Sequence, residues 1–479
     1  MADVVRAILS DVDSLQSGGY LTPLASRLLL LLLALAVACG PRPDGASLVI
    51  RNGTLIDPDG GTSRSATIVV QDGKVARVSD TELPTPPGGT VVDARGQYVI
   101  PGFWDMHVHA HREDRRVYQY PLFVAHGVTT IRDAGTHLAT ALSERARPKT
   151  DGLAPSVIWG SPPIDGSPPV LSFGLGAEDA DGGRALVRQL KGAGFDFIKV
   201  YDRLGAEAYR AILAEARDQR IPVDGHVPLV ASPADAVAGG QRTIEHLTLV
   251  LESCIPGALA WIHESRSADS MALITDGRLA ASLEQYDAAT CDRLFAAFVA
   301  AGTWHIPTLV QMRGAFLIDD PRVSDHPGIA LMPEGMRNEW RKYAAEAIPR
   351  EIAAGRRVYL RQLQLVGDMY RAGVRLLVGT DASNEPFVVP GWSLHDELQL
   401  LVEAGLPPLS AIQAATTAPA RHSRPGLPAG FAVGAPADFR LLRGDPRVDI
   451  RNTRQIHAVI LRGRLLTRQD LDAMIAAIR

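Results

Sequence analysis

Residues 99–420 predict an α/β fold, a (β/α)8 TIM barrel, and the two chain ends together predict a small β-sandwich domain. Three observations carry this. The long middle alternates short apolar runs with helical patterns. The apolar runs number eight, as a closed parallel barrel requires. The flanks, 47–98 and 421–479, instead show period-two alternation broken by tight-turn dipeptides.

Composition sets the outer bounds. A chain of 479 residues, 46% hydrophobic and 21% charged, has the makeup of a globular protein with a large core. A net charge of −4 offers no basic footprint and argues against nucleic acid as a partner. The three cysteines, Cys39, Cys254 and Cys291, form no Cys-x-x-Cys pair. Cys254 and Cys291 read as buried thiols, although spacing alone does not settle whether they pair.

The first 46 residues read as a targeting segment and linker. Arg27 precedes an unbroken apolar run from Leu28 to Ala38 that is too short for a membrane span. The sequence LAVACG resembles a bacterial lipoprotein signal, which would make Cys39 a lipidation site and a membrane anchor; cleavage without lipidation is the alternative. Either outcome predicts export, to the periplasm or to a membrane surface. Asp11 and Asp13, upstream of Arg27, leave the translation start open.

Residues 47–98 supply SLVIRNGTLIDPDG, ATIVVQDGKVARVS and TVVDARGQYVI, with hairpin signals at Asn52-Gly53 and Asp72-Gly73. The barrel strands are FWDMHVH, GVTTIRDAG, PSVIWG, FDFIKVY, IPVDGHV, RTIEHL, TWHIPTL and VRLLVGTD, with helical stretches such as GGRALVRQLKGAG and GAEAYRAILAEARDQR between them. The Pro- and Gly-rich stretch from Gly160 to Gly183 is too long for an ordinary connection and is expected at the rim. Asp319 to Gly335 is expected to cover the opening. At the far end, ADFRLLRGDP and IHAVILRGRLL return to the sandwich, and QDLDAMIAAIR closes the chain as a helix.

Six residues at predicted strand ends carry chemistry. His107 and His109 alternate by two, so both imidazoles face one side of their strand. Two inward imidazoles are costly to bury without partners, and a metal supplies one. Lys199 interrupts an apolar strand. Burial lowers a lysine's pKa, and a neutral amine reacts with carbon dioxide to give an anionic carbamate able to bridge two cations. His226 and His246 each end a strand, and Asp381 ends LLVGTD. These donors suit zinc-like ions. Asp105 is expected to support the paired imidazoles. His137, His305 and His395 lie where each could touch substrate, while His263, His326, His422 and His457 read as structural or surface residues.

Taken together, PGFWDMHVH, FIKVYDR, VDGHVP, TIEHL, LVGTDA and LLVEAGLPPLSAIQAATTAPAR resemble the metal-dependent amidohydrolase superfamily, and are most similar to its imidazolonepropionase-like and prolidase-like branch. The resemblance runs from about residue 47 to the end. It implies that His107, His109 and Asp381 hold one metal and His226 and His246 the other, two zinc ions by expectation, with N-carboxylated Lys199 bridging. It further implies hydrolysis of a C–N amide bond, in a dipeptide or N-acyl amino acid, by a metal-activated hydroxide, with Asp381 as proton shuttle. Tyr201 and Arg203 would hold a substrate carboxylate. The alternatives are a cyclic amide, lactone or ester hydrolase on the same centre, and a non-catalytic ligand-binding lipoprotein. Assembly into a homo-oligomer stays open.

Overall fold

The computed structural model describes residues 47–111, 115–147, 153–265, 269–382 and 385–478. Cys39 and the rest of the targeting segment lie outside the described residues. No helix among the described residues is long and apolar enough to cross a membrane.

Both chain ends build one sheet. The strands β1 (Ser47–Ile56), β2 (Ser63–Gln71), β3 (Lys74–Ser79), β4 (Thr90–Asp93) and β5 (Tyr98–Pro101) come from the N-terminal side. Residues 102–436 then form the middle of the chain. The chain returns with β16 (Phe439–Leu442), β17 (Ile456–Leu461) and β18 (Arg464–Thr467). The order is β18-β17-β16-β5-β1-β2-β3, with β4 paired to β1. The sandwich expected from the sequence is therefore one connected sheet of eight strands. Strand β1 makes this possible. Its first half pairs parallel with β4 and its second half parallel with β5, around a bulge between Ile50 and Gly53. Leu48, Ile50, Ile68 and Val70 from one end pack with Phe439, Leu441 and Ile460 from the other.

The expected boundaries at 98/99 and 420/421 both cut elements. The first falls inside β5, and the second inside the helix Thr417–Ser423. The reason is packing: Ile56, Ile100, Leu442 and Leu461 belong to the same apolar core as the middle of the chain.

All eight predicted middle strands form. They are β6 (Phe103–Val108), β7 (Val128–Asp133), β8 (Ser156–Trp159), β11 (Ile198–Val200), β12 (Val223–Gly225), β13 (Thr243–Glu245), β14 (Trp304–Ile306) and β15 (Arg375–Leu376). Strands β6-β7-β8 make one parallel sheet. Strands β11 to β15, with β9 (Ile164–Asp165) and β10 (Leu175–Gly176), make another. Backbone hydrogen bonds cross both seams. Asp196 donates to the Trp159 carbonyl at 2.8 Å beside the bridge between Gly160 and Phe197. Asp381 donates to the His107 carbonyl at 2.7 Å, and His109 to the Ala382 carbonyl at 2.7 Å. Helices fill the connections. That at Ala180–Gly192 starts where the Asp179 carboxylate accepts from the Gly182 amide, and that at Ala206–Asp218 buries Ala208, Ile212 and Ala216 along one face.

Cys254 and Cys291 are joined by a disulfide, with Cα atoms 4.8 Å apart. This replaces the reading as two thiols. Cys254 follows the short helix Val250–Ser253, and Cys291 lies in the helix Ala288–Ala301, so the bond ties two neighbouring elements.

Candidate metal centre

The six residues singled out at strand ends all line one cavity of about 260 Å³. Their order in space follows the strands that carry them. His107 lies on β6 and His109 just beyond it; Lys199 is the middle residue of β11. His226 and His246 directly follow β12 and β13, and Asp381 ends the segment after β15. The His107 and His109 rings are 5.3 Å apart, His107 and His246 4.5 Å, and His226 and His246 4.9 Å.

Hydrogen bonds fix which nitrogen each imidazole turns to the cavity. His109 Nδ1 lies 2.9 Å from the Gly135 carbonyl, an obligate acceptor, so Nδ1 carries the proton. His226 Nδ1 lies 2.7 Å from Asp202 Oδ1. His246 Nδ1 lies 2.7 Å from Thr308 Oγ1, whose own hydrogen goes to the Pro307 carbonyl. Three Nε2 lone pairs are thereby left for a ligand.

The strongest sign that this site suits a cation is at Asp381. Its Oδ1 lies 3.3 Å from His109 Nε2 and 3.6 Å from His107 Nε2, and it has no hydrogen-bond partner. With its proton on Nδ1, His109 therefore turns an Nε2 lone pair to a carboxylate oxygen in a buried site. Such a contact is repulsive unless a cation sits among them. His107, His109 and Asp381 can hold one metal ion; His107, Glu245 and His246 converge closely enough to hold another. The donor set thus fits divalent metals. The second group departs from the expected one, because it includes Glu245 where the sequence pointed to His226.

Glu245 is the main residue the sequence reading missed. It is fully buried, its Oε2 pairs with the Lys199 ammonium, and the same oxygen lies 3.2 Å from His107 Nδ1. Its Oε1 accepts from Arg132 at 2.9 Å. Arg132 also reaches Asp224 at 2.8 Å and the Met106 carbonyl at 2.8 Å, and stacks over Phe197. Burial, reinforced by the Arg132 charge, brings Lys199 down to about 7, so its neutral amine is accessible near neutral pH. Burial, with the neighbouring His107, holds His246 well below the usual histidine range. For Asp381, burial works upward, but the surrounding His107 and His109 outweigh it and keep the carboxyl below its ordinary value.

Local backbone supports the cluster. His246, Thr308 and Asp381 all adopt the left-handed region, with φ of 55°, 48° and 61°. Such positions cost about 1–3 kcal/mol each and gather at functional sites. Two glycines permit close approach. A Cβ on Gly379 would sit 2.5 Å from Ile306 Cγ2 and 2.9 Å from His107 Cβ; one on Gly225 would sit 2.3 Å from the Val200 carbonyl oxygen. Asp105 does support this region, but through backbone. It accepts from the His107 and Thr380 amides and from Thr380 Oγ1, not from an imidazole.

The expected substrate residues divide. Tyr201 lines the cavity, its ring 4.1 Å from that of His226. Arg203 is exposed and does not line it; its backbone amide donates to Asp165. His137 precedes the helix Leu138–Ala146 outside the cavity, its ring against Phe173. His305 is buried on the other face of β14, its ring 4.4 Å from Phe298, and burial lowers it to about 3. His395 bridges Thr453 and the His126 carbonyl, away from the cavity. The stretch from Gly160 to Gly183 supplies Pro163, Val170, Leu171 and Phe173 to the lining. Residues from Asp319 to Gly335 supply none. They pack with Trp340 and Phe387 instead, while Asp269, Ser270, Met271 and Ile274 contribute to the lining.

Comparison with known proteins places these features. Residues 98–466 match the model of the Amidohydrolase family. Among curated proteins, the chain is 36% identical over 107 residues to a dihydroorotase of Anaeromyxobacter dehalogenans (strain 2CP-C), covering 22% of this chain and 24% of that one. It is 33% identical over 122 residues to an N-acyl-D-aspartate deacylase of Alcaligenes xylosoxydans xylosoxydans, 24% of each. These matches span about a quarter of the relatives' lengths. Among solved structures, a bottromycin amidohydrolase superposes with a TM-score of 0.69 at 25% identity, over 93% of both chains. A putative prolidase from Bifidobacterium longum gives 0.62 at 22% identity, over 91% of this chain and all of that one, a likeness of fold. The family match covers most of the chain and includes every residue of the metal-competent cluster, so this protein belongs to the Amidohydrolase family.

Proposed function

We propose that this chain is a binuclear metal-dependent amidohydrolase that cleaves a C–N amide bond of a small molecule or peptide. The observation that carries the reading is the unpartnered Asp381 oxygen facing two imidazole nitrogens in a buried cavity. We also read the two parallel sheets as one closed (β/α)8 ring, supported by the hydrogen bonds across both seams.

His107, His109 and Asp381 would hold one ion and His226 and His246 the other, with Lys199, as a carbamate, a ligand of both; Glu245 lies beside His107 and Lys199. When bound, such ions supply Lewis acidity, polarising the scissile carbonyl and acidifying water. The protein does the rest. Asp381 receives the proton released as water attacks and returns it to the leaving nitrogen. Asp202 and Thr308 keep His226 and His246 in the tautomer that offers Nε2. The Lys199 carbamate forms as the neutral amine adds carbon dioxide and releases a proton. It puts a second anion beside Glu245, so carbamate and metal are acquired together. Zinc fits the nitrogen and oxygen donors. Export, with Cys39 as the anchor, accords with the Cys254–Cys291 disulfide, a bond that persists in oxidising compartments.

Metal analysis of the zinc-loaded protein tests this, together with a screen of dipeptides, N-acyl amino acids and lactones. About two equivalents per chain and amide hydrolysis are expected. Lys199→Ala is expected to lose at least half of the bound metal and turnover by roughly 10²-fold or more. Metal and turnover unchanged in that variant would remove the carbamate. Absence of metal would favour a ligand-binding role.

A further inference from the structure

Beyond the ligand cluster, the same cavity is lined by two further buried polar side chains. Glu252, on the helix Val250–Ser253, is 5% exposed, and its Oε2 has no hydrogen-bond partner. Gln311, on the helix Leu309–Phe316, is 4% exposed, and its Oε1 is also unpartnered. Both residues line the cavity. Both orphan atoms are hydrogen-bond acceptors. A buried acceptor left unmet is unfavourable, so the occupant that relieves it is a donor.

Charge points the same way. Among the described lining residues, the only cationic side chain is Lys199, and its ammonium is already engaged with Glu245. Asp269 and Glu385 add further carboxylates to the lining. Met271, Ile274 and Met312 supply apolar wall. Burial raises the Glu252 carboxyl to about 7, and a cation set against it would relieve that penalty. Arg203, the side chain expected to hold a substrate carboxylate, is not in the lining.

We infer that the substrate is cationic: its non-reacting end carries an ammonium or guanidinium group on an apolar stem, seated against Glu252 and Gln311. This rests on the amidohydrolase reading and names the substrate class for that site. It departs from N-acyl amino acids, whose free carboxylate would face the unpartnered Glu252 and Gln311 oxygens.

Three acetamides of matched length separate the charges. N-acetylcadaverine is cationic, N-acetylpentylamine neutral and N-acetyl-6-aminohexanoate anionic. With the zinc-loaded full chain, kcat/KM is expected to be at least tenfold higher for the cation than for either other compound. In Glu252→Gln, the cation-to-neutral ratio falls toward one, chiefly through KM. Gln311→Leu is expected to lower the same ratio. Preference for the anion, or an equal loss on all three compounds with the ratio kept, would overturn the inference. If the metal-loaded protein hydrolyses none of the three, the amide-cleavage reading fails separately. Calorimetric titration with N-acetylcadaverine then decides the cation site. Binding at least tenfold weaker in Glu252→Gln supports it, and equal or absent binding overturns it.

Discussion

Arg132 shows what the charges beneath the centre require. Its guanidinium is fully buried, held by Asp224, Glu245 and a backbone carbonyl. Removing one partner of a buried ion pair leaves the others uncompensated, at about 3–5 kcal/mol. Arg132→Ala is therefore expected to lose about that much in urea unfolding of the metal-free protein, and Arg132→Ala/Glu245→Gln less than the sum of its singles. Additive losses would mean the two residues do not form one network. At this scale the sequence was legible where a polar residue broke an apolar run. Lys199 stood out in FDFIKVY for that reason. Glu245 broke RTIEHL in the same way, but the adjacent His246 drew the argument. His305 failed for a different reason. It pairs in register with Ile244 and Leu376, so it shares their face, whereas Glu245 pairs with Ile306 on the other parity. A three-residue strand does not announce in its own letters which parity points inward.

Elements were legible in number and order, less so in what each loop does. Asp319–Gly335 has the irregular composition of a lid, yet Val323 and Met332 commit it to a packed apolar cluster. The helix Leu309–Phe316 carries a device that sequence spacing could not reveal. The Glu397 carboxylate, from the helix Trp392–Glu403, accepts from the Leu309 and Val310 amides at 3.1 and 2.7 Å. Burial nonetheless raises Glu397 to about 8. The folded protein thus keeps a proton that the unfolded chain releases at its ordinary value near 4.5. Its contribution is full below that value and is lost as pH rises through about 8. Unfolding free energies of Glu397→Gln, measured at pH 5 and pH 9, are expected to fall less across that interval than those of the wild type. Equal slopes would show that another group sets the dependence.

For the whole molecule, the family motifs made the central architecture readable and the alternating chain ends announced a shared β domain, whereas the disulfide and the joining of that domain into one sheet were not legible. Cys254 and Cys291 are 37 positions apart, and nothing near either one marks it for pairing. Closing a loop of that length stabilises by about 3–4 kcal/mol in the chain-entropy model. The double replacement Cys254→Ser/Cys291→Ser is expected to lose roughly that amount, and thiol titration of the unfolded, unreduced wild type should find neither of these sulfurs reactive. Two reactive thiols there would disprove the bond. The sheet has a consequence of its own in time. Strand β5 is complete as soon as residue 101 is made, but its neighbour β16 begins at Phe439. During synthesis, the growing polypeptide therefore carries a bare strand edge until nearly all of it has emerged. A chain cut short before Phe439 keeps that adhesive edge permanently, so full-length production is itself the safeguard against clumping.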